Sequence, residues 1–513
     1  MRTRNSIINM ISVALSFILR LVLAFAVKTV FIRILGEEYN GLDGLFTSII
    51  SMLAIAELGI GSIITYNLYM PVKENDFDRI CSILAYQKRC YRIIAAVVAV
   101  IGMSILPVIP KLVGGVSLTD NLYVIYFLFV LDSVSSYILS YKQSIFIASQ
   151  KNYVITLATL GRTILLQVSR IVILLLTESY ILYVGLSVVY MLLYNLLLYR
   201  YADTQYPYLK SKTIKPLGNE TKSDVKKKVQ GMVSLKIGGY VVFSTDNILI
   251  SSFFGVVQVG LYSNYYIIIN YLQQLTGQMI DSVVPSVGNL LLNEDREKNY
   301  EVYKIIRFLT SAIFMFFSLC FFGIAQQFIK LWLGEEHLLP LLTVYCMALN
   351  FFQFGMRKPV AVFKNAAGIF YENRFVPIYE AVTNIIVSIL LAYLIGLPGV
   401  LLGTFISTLW PLLYEYPKYV WAKVFFRKRS SYYWDLLKSF LQWHVGIAII
   451  FFSVTLKNNY MIPNNTLDFV LTGFVVAGIS LLYLFVISRG SPELHFYREL
   501  LRTKLRRNRS KES

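Results

Sequence analysis

Four cations stand in stretches of sequence that are otherwise strongly apolar: Arg20 and Lys28 within residues 7–35, and Arg162 and Arg170 within residues 154–176. Within each pair the spacing is eight residues, which sets the members about 80° apart around a helix of 3.6 residues per turn. A single helix can therefore turn both of its cations toward one interior. A guanidinium offers a flat fork of donors that matches a phosphate group bidentately. The chemistry open to this set is anion binding in an apolar medium. Opposing it in the first half of the chain are two acids at comparable depth, Glu57 and Asp132. Charges at a bilayer centre cost about 2.5–3.5 kcal/mol each on insertion scales, so four facing lipid would cost about 10–14 kcal/mol. They are expected to line a cavity, to pair, or to snorkel outward. In the second half, Asp246 and Asp281 are the matching acids. Glu57, Asp132, Asp246 and Asp281 are read as ion-pair and gating partners, with Asp246 a candidate latch against a cation of the first half. Tyr262, Tyr265 and Tyr266 cluster on one predicted helix and suit the faces of sugars, although tyrosines also gather at membrane interfaces.

The elements that must carry these side chains are transmembrane helices. The 513 residues are 56% hydrophobic and only 15% charged, with a mean hydropathy of +0.60. A soluble domain usually carries about a quarter charged residues, so this chain could not cover its surface in water. It divides into apolar runs of roughly 20 to 30 residues, each long enough to span the hydrocarbon as a helix. Backbone in lipid must satisfy its own hydrogen bonds, which makes the spans helical. The expectation is an all-α polytopic membrane protein of about 14 transmembrane helices. The first run, behind Arg2 and Arg4, is too long for a cleavable signal core and is read as a retained span.

A net charge of +19 does not mark a nucleic-acid partner, because the basic residues fall in alternate connections. Lys73, Lys88, Arg89 and Arg92 lie on one side, as do Lys226, Lys227 and Lys228, and Arg427, Lys428 and Arg429. The intervening connections hold Glu37-Glu38, Asp120, Glu178 and Glu335-Glu336. The positive-inside rule then puts both termini on the cytoplasmic side of the membrane and makes the number of spans even. The basic tail reads as a contact for anionic lipids. Glu380 and Glu415 fall near cytoplasmic span ends and read as interfacial. Cys81, Cys90, Cys320 and Cys346 are scattered without a C-x-x-C pair, and His337, His444 and His495 are far apart, so neither metal nor disulfide chemistry is expected. No hydrolase, zincin or P-loop motif occurs, and the one D-x-D, Asp76-Phe77-Asp78, lies in a short basic connection. No catalytic residue and no cofactor is assigned.

The expected organisation is an N-terminal six-helix lobe at 1–200 and a basic cytoplasmic linker at 201–231. A C-terminal six-helix lobe follows at 232–421, then two additional helices at 422–488 and a basic tail at 489–513. A short repeat supports two lobes. Gly36 and Gly41-Leu42 after the first span recur as Gly255 and Gly260-Leu261 after the seventh, both reading G-x-x-x-x-G-L. An even number of spans separates the copies, so the repeat is parallel, about an axis along the membrane normal, and two such lobes would enclose a central cavity.

The stretch from Ile34 to Tyr69, ILGEEYNGLDGLFTSIISMLAIAELGIGSIITYNLY, resembles the first hairpin of bacterial polysaccharide flippases of the Wzx type. These belong to the multidrug/oligosaccharidyl-lipid/polysaccharide exporter superfamily. The segment from Asp246 to Tyr266, DNILISSFFGVVQVGLYSNYY, is similar to that family's seventh-to-eighth span connection. The resemblance implies a flippase that moves an undecaprenyl-diphosphate-linked oligosaccharide to the outer leaflet by alternating access, for capsule, exopolysaccharide or O-antigen synthesis. It further implies partnership with a polysaccharide polymerase and chain-length proteins, and a diphosphate site built on first-lobe cations. Arg20 matches the family's first-span arginine; Lys28, Arg162 and Arg170 are the further candidates. A cation-coupled multidrug exporter of the same superfamily and a membrane-embedded polymerase are the competing expectations.

Overall fold

The computed structural model describes residues 2–57, 59–114, 119–210, 244–369, 372–460 and 466–495, with the backbone alone at 2–16, 18 and 458–460. Most of the expected linker, the first half of the seventh span and most of the basic tail lie outside the described residues. Among the described residues there is no strand. The protein is an all-α polytopic integral membrane protein. Among the described residues, eight helices are long and apolar enough to cross a bilayer, and ten when each of two bent pairs counts as one span. With the shorter and broken members these make about fourteen spans.

The chain forms two compact units, Met1–Ser263 and Asn264–Ser513. The first begins with α1 (Arg2–Leu53), which is broken at Gly36, where φ is 83°. That conformation belongs to the region glycine enters freely. Lys28 hydrogen-bonds to Asn40, twelve residues on; a straight helix would hold them about 18 Å apart, so the chain folds back at Gly36. Next come α2 (Ile60–Glu74), α3 (Phe77–Ile105), α4 (Ile109–Val113), α5 (Leu122–Tyr137) and α6 (Gln143–Ala148). Two full-length spans follow, α7 (Asn152–Thr177) and α8 (Tyr180–Gln205). Residues 244–254 form α9, and α10 (Val256–Asp281) starts directly after Gly255 and runs across the division between the units.

Asn121 and Ser179 cap α5 and α8 by accepting from backbone N–H groups that the first turn leaves unpaired. Ile64, Leu68, Ile80, Ile83, Leu84, Ile145 and Phe146 form one core at an end of α2, α3 and α6. The buried pair of Lys142 and Asp203 lies beside it, with the ammonium 3.7 Å from the Tyr199 ring centroid.

Gly255 repeats the Gly36 break, with φ 85°. The two copies of the repeat also meet. A Cβ on Gly41 would lie 1.8 Å from the Val256 carbonyl oxygen, and one on Gly260 would lie 2.6 Å from the Glu37 carbonyl oxygen. Val256 and Glu37 are the residues directly after the two breaking glycines, so the contact is reciprocal. Gly44 and Ser263, again corresponding positions, meet one turn further along. Small residues at these positions let two helices cross with their backbones in contact. The repeat read from sequence is therefore a local pseudo-two-fold crossing inside the first unit.

The second unit contains α11 (Val284–Asn293), α12 (Arg296–Trp332), α13 (Leu341–Ala366), α14 (Val376–Ile395) and α15 (Leu397–Ser407). A π-helical stretch (Pro411–Phe425) leads to α16 (Arg429–Tyr460) and α17 (Thr466–Ser488). Trp443 of α16 is fully buried and donates to Ser318 of α12 at 2.9 Å. Gln327 of α12 donates to Asp468 of α17 at 2.6 Å. The two additional helices are thus packed into the second unit.

Candidate functional site

Arg20 on α1, Arg162 and Arg170 on α7, and Asp132 on α5 come together in the first unit. α7 packs along α1 and α8. Arg162 lies within the field of Asp132, Arg170 and Arg20, and Asp132 within that of Arg162 and Arg170. Two guanidiniums, those of Arg162 and Arg170, act on the Asp132 carboxylate, and Arg20 adds a third cation near Arg162. Arg170 is held by α8: its Nη2 donates to Ser187 Oγ at 2.5 Å, and its guanidinium stacks 4.1 Å from the Tyr183 ring centroid. Arg162 reaches the Met191 sulfur at 3.2 Å, with the Tyr194 ring 5.3 Å away. Its Nε is buried and has no hydrogen-bond partner among the described residues, and the same is true of Oδ1 of Asp132. A thioether is a weak acceptor for an arginine. The site therefore keeps strong donor capacity in an apolar surround, which is what an anionic group entering it would use.

Lys28 belongs to a different arrangement. Its ammonium donates to Oδ1 of Asn40, in the field of Asp43 and Glu37. Tyr180 donates to Asp43 at 3.1 Å and packs on Phe31, Tyr39 and Tyr183. Asp43, Tyr180 and Tyr183 were not singled out in the sequence; the aromatic run at the start of α8 and an acid seven residues after the Gly36 break were the available signals. Glu57 sits in a short turn where its carboxylate and the Tyr91 hydroxyl both border Gly61. Asp246 is buried on α9. Asp281, 53% exposed at the end of α10, pairs with Lys358 at 2.7 Å.

Of the three tyrosines, Tyr262 and Tyr265 are buried, whereas Tyr266 keeps partial exposure. The Tyr265 hydroxyl donates to Gln326 at 2.6 Å and accepts from the Leu339 N–H at 3.2 Å, tying α10 to the connection after α12.

The reading of Glu380 and Glu415 as interfacial is corrected. Glu380 is buried and takes a two-pronged bond from Arg357, at 2.8 and 3.3 Å. Glu415 is buried against Lys364 at 2.5 Å and Asn373 at 2.7 Å. Arg357 and Lys364 lie seven residues apart on α13, two helical turns, and so share a face. No group of three or more histidines, cysteines and carboxylates placed to hold a metal occurs among the described residues.

No protein-family model matches the sequence, and no curated protein matches it. Solved structures do match in fold. A multidrug resistance MATE family transporter of the MOP superfamily, in an inward-facing conformation, superimposes with a TM-score of 0.60 at 12% identity, over 78% of this chain and 97% of that one. Lipid II flippase MurJ, in an inward closed conformation, gives 0.65 at 12% identity, over 94% of this chain and 98% of that one. A mutant of the Vibrio cholerae MATE transporter VcmN gives 0.56 at 13% identity, over 83% of this chain and 100% of that one. The fold is thus one that multidrug transporters and a lipid flippase share.

Proposed function

We propose that this chain is a flippase for an undecaprenyl-diphosphate-linked oligosaccharide, carried from the cytoplasmic to the outer leaflet by alternating access. The observation that carries the reading is the grouping of Arg162 with Arg20 and Arg170, where the Asp132 carboxylate faces Arg162 and Arg170. An exporter of cationic drugs needs a negative interior, whereas a diphosphate needs the surplus of donors found here. The fold likeness to a lipid II flippase, over 94% of the chain against 78 and 83% for the MATE transporters, supports the same choice.

In this scheme the arginines receive the diphosphate, and Asp132 releases them as the phosphate oxygens arrive. Lys28 acts from the neighbouring turns of α1, and Tyr266, the partly exposed one of the three tyrosines, is the one that would meet sugar. Asp246 and Asp281 belong to the ion pairs that change between states. Both termini and the basic connections face the cytoplasm, where anionic lipid attracts them. Removal of the product by a polymerase outside would draw transport forward.

A second reading, a cation-coupled multidrug exporter, has its own support in the MATE-like fold and in the carboxylates of Glu37 and Asp43 around Lys28. One experiment separates them: flipping of a fluorescent undecaprenyl diphosphate oligosaccharide in proteoliposomes, for wild type and Arg162→Gln. Wild type should flip it, and the variant should fold and lose about tenfold or more, the worth of a hydrogen bond to a charged group. A wild type that leaves the lipid in place but extrudes a cationic dye under a proton or sodium gradient would replace the flippase with the exporter.

A further inference from the structure

We infer that a cavity at one end of the second unit binds a phospholipid whose headgroup is zwitterionic and carries a primary amine, of the phosphatidylethanolamine kind. No residue of this site belongs to the first unit, and it has no part in holding cargo.

The cavity measures about 1040 Å³ and is open on one side. It lies between the last turns of α11, the first turn of α12, the end of α13 and the end of the π-helical stretch. Two features of its wall point to an occupant. Asn299 of α12 is 4% exposed, yet its Oδ1 has no hydrogen-bond partner among the described residues. A buried amide oxygen without a donor is costly, so a donor supplied from the cavity is favoured. Phe426, also in the wall, holds φ 53°, a conformation that bulky side chains rarely adopt. Its ring lies under Arg296, with the guanidinium carbon 3.6 Å from the ring centroid.

The charges around the cavity divide into matched and unmatched. Asp295 caps α12 by accepting from the Lys298 N–H at 2.8 Å, Glu297 accepts from Arg427 at 2.6 Å, and Lys423 faces Glu372 at 3.5 Å. Glu294 and Arg296 have no partner of opposite charge among the described residues. One unmatched anion, one unmatched cation and one bare amide oxygen fit a phosphate and an ammonium on a short tether. Arg296 meets Phe426 with its flat face, which leaves the in-plane fork of N–H groups for phosphate oxygens. An ammonium has three donors, enough for Glu294 and Asn299 together. A choline headgroup has the same charges but no N–H, and a glycerol headgroup lacks the cation.

The surroundings make the occupant a lipid. Leu291 and Leu292 of α11 border the cavity, and Leu292 is 85% exposed, which suits contact with an acyl chain and not with water. Tyr433 and Trp434, in the first turns of α16, are 40% and 67% exposed, as rings at the headgroup level of a bilayer are. Arg296, Lys298, Arg427, Lys428 and Arg429 belong to the basic connections, so the headgroup comes from the cytoplasmic leaflet.

The test is native mass spectrometry of the full-length chain, delipidated in detergent and titrated with dioleoyl phosphatidylethanolamine, phosphatidylcholine or phosphatidylglycerol. One molecule of the ethanolamine lipid should bind about tenfold more tightly than either of the others, the worth of a hydrogen bond to a charged group. Arg296→Gln should weaken that binding about tenfold, and Asn299→Leu should erase the preference over the choline lipid. Lys298→Gln, outside the cavity wall and paired with Glu301 at 3.1 Å, should change nothing. Equal binding of the ethanolamine and choline lipids, or tighter binding of the glycerol lipid, overturns the headgroup assignment. Wild-type affinity in Arg296→Gln overturns the site, because the lipid would then be held elsewhere on the apolar surface. Should Asn299→Leu fail to fold, Arg296→Gln, a change at an exposed side chain, and the three headgroups decide.

Discussion

Replacing Glu380 with glutamine should destabilise the protein far more than a carboxylate near a membrane interface would. The Glu380 side chain is 8% exposed and that of Arg357 is 22% exposed, and two bonds at 2.8 and 3.3 Å join them. Tyr416 also hydrogen-bonds to Arg357, so the guanidinium is fixed in a protein interior. Glutamine keeps the shape, but it supplies one acceptor in place of two and leaves the arginine charge uncompensated. Removing one partner of a buried pair costs about 3–5 kcal/mol, because the remaining charge has lost both water and its counter-ion. Exchanging both residues, Arg357→Met with Glu380→Leu, should return the protein to about wild-type stability or up to roughly 4 kcal/mol above it. Denaturant-induced unfolding in detergent, run as a double-mutant cycle, measures the coupling directly. A Glu380→Gln protein within about 0.5 kcal/mol of wild type, the range of an ordinary surface change, would refute the argument, because the pair would then have to be hydrated in the folded protein.

Two further outcomes follow from packing and charge. Gly355→Ala should cost about 1–3 kcal/mol, since the new Cβ would fall 2.1 Å from Cγ of the buried Phe314 and overpack the contact of α12 with α13. Phe314→Leu in the same chain should recover part of that loss in the same unfolding assay. In the connection after α12, the hydrogen bond from Lys330 holds the Glu335 carboxyl below its ordinary value of 4.5. A depressed folded-state value means the contribution is complete above that pH and fades as pH falls through the folded value. Unfolding followed from pH 6 to 3 should therefore show a small acid loss that Glu335→Gln lacks; the group is fully exposed, and equal pH profiles would remove the interaction.

Much of the fold was legible in advance. Long apolar runs, alternate basic connections and a G-x-x-x-x-G-L repeat gave an all-α membrane protein with two copies of a hairpin, because each of these signals acts locally. Gly36 and Gly255 show why: a positive φ at both positions is a backbone requirement that glycine alone meets without strain. The site was legible in part. The mid-span position of Arg20, Arg162 and Arg170 marked them as interior charges, and the fold gathers all three. Lys28, on the same helix and in the same kind of sequence, was grouped with them, yet its ammonium goes to Asn40.

Sequence by itself determined which residues could not face lipid, since the cost of a charge in hydrocarbon does not depend on the fold. It also determined where the chain must break, since proline, glycine and cap preferences are set by the backbone. Only the tertiary structure decided the partners. Glu380 and Glu415 sit where a hydropathy argument puts an interface, but packing of α13, α14 and the π-helical stretch seals them against Arg357 and Lys364. The reciprocal contact of Gly41 and Gly260 was likewise invisible as a contact, although the repeat was visible as letters. Spacing along a chain fixes the face a side chain occupies on its own helix; which neighbour that face meets is set by long-range packing, which no local pattern encodes.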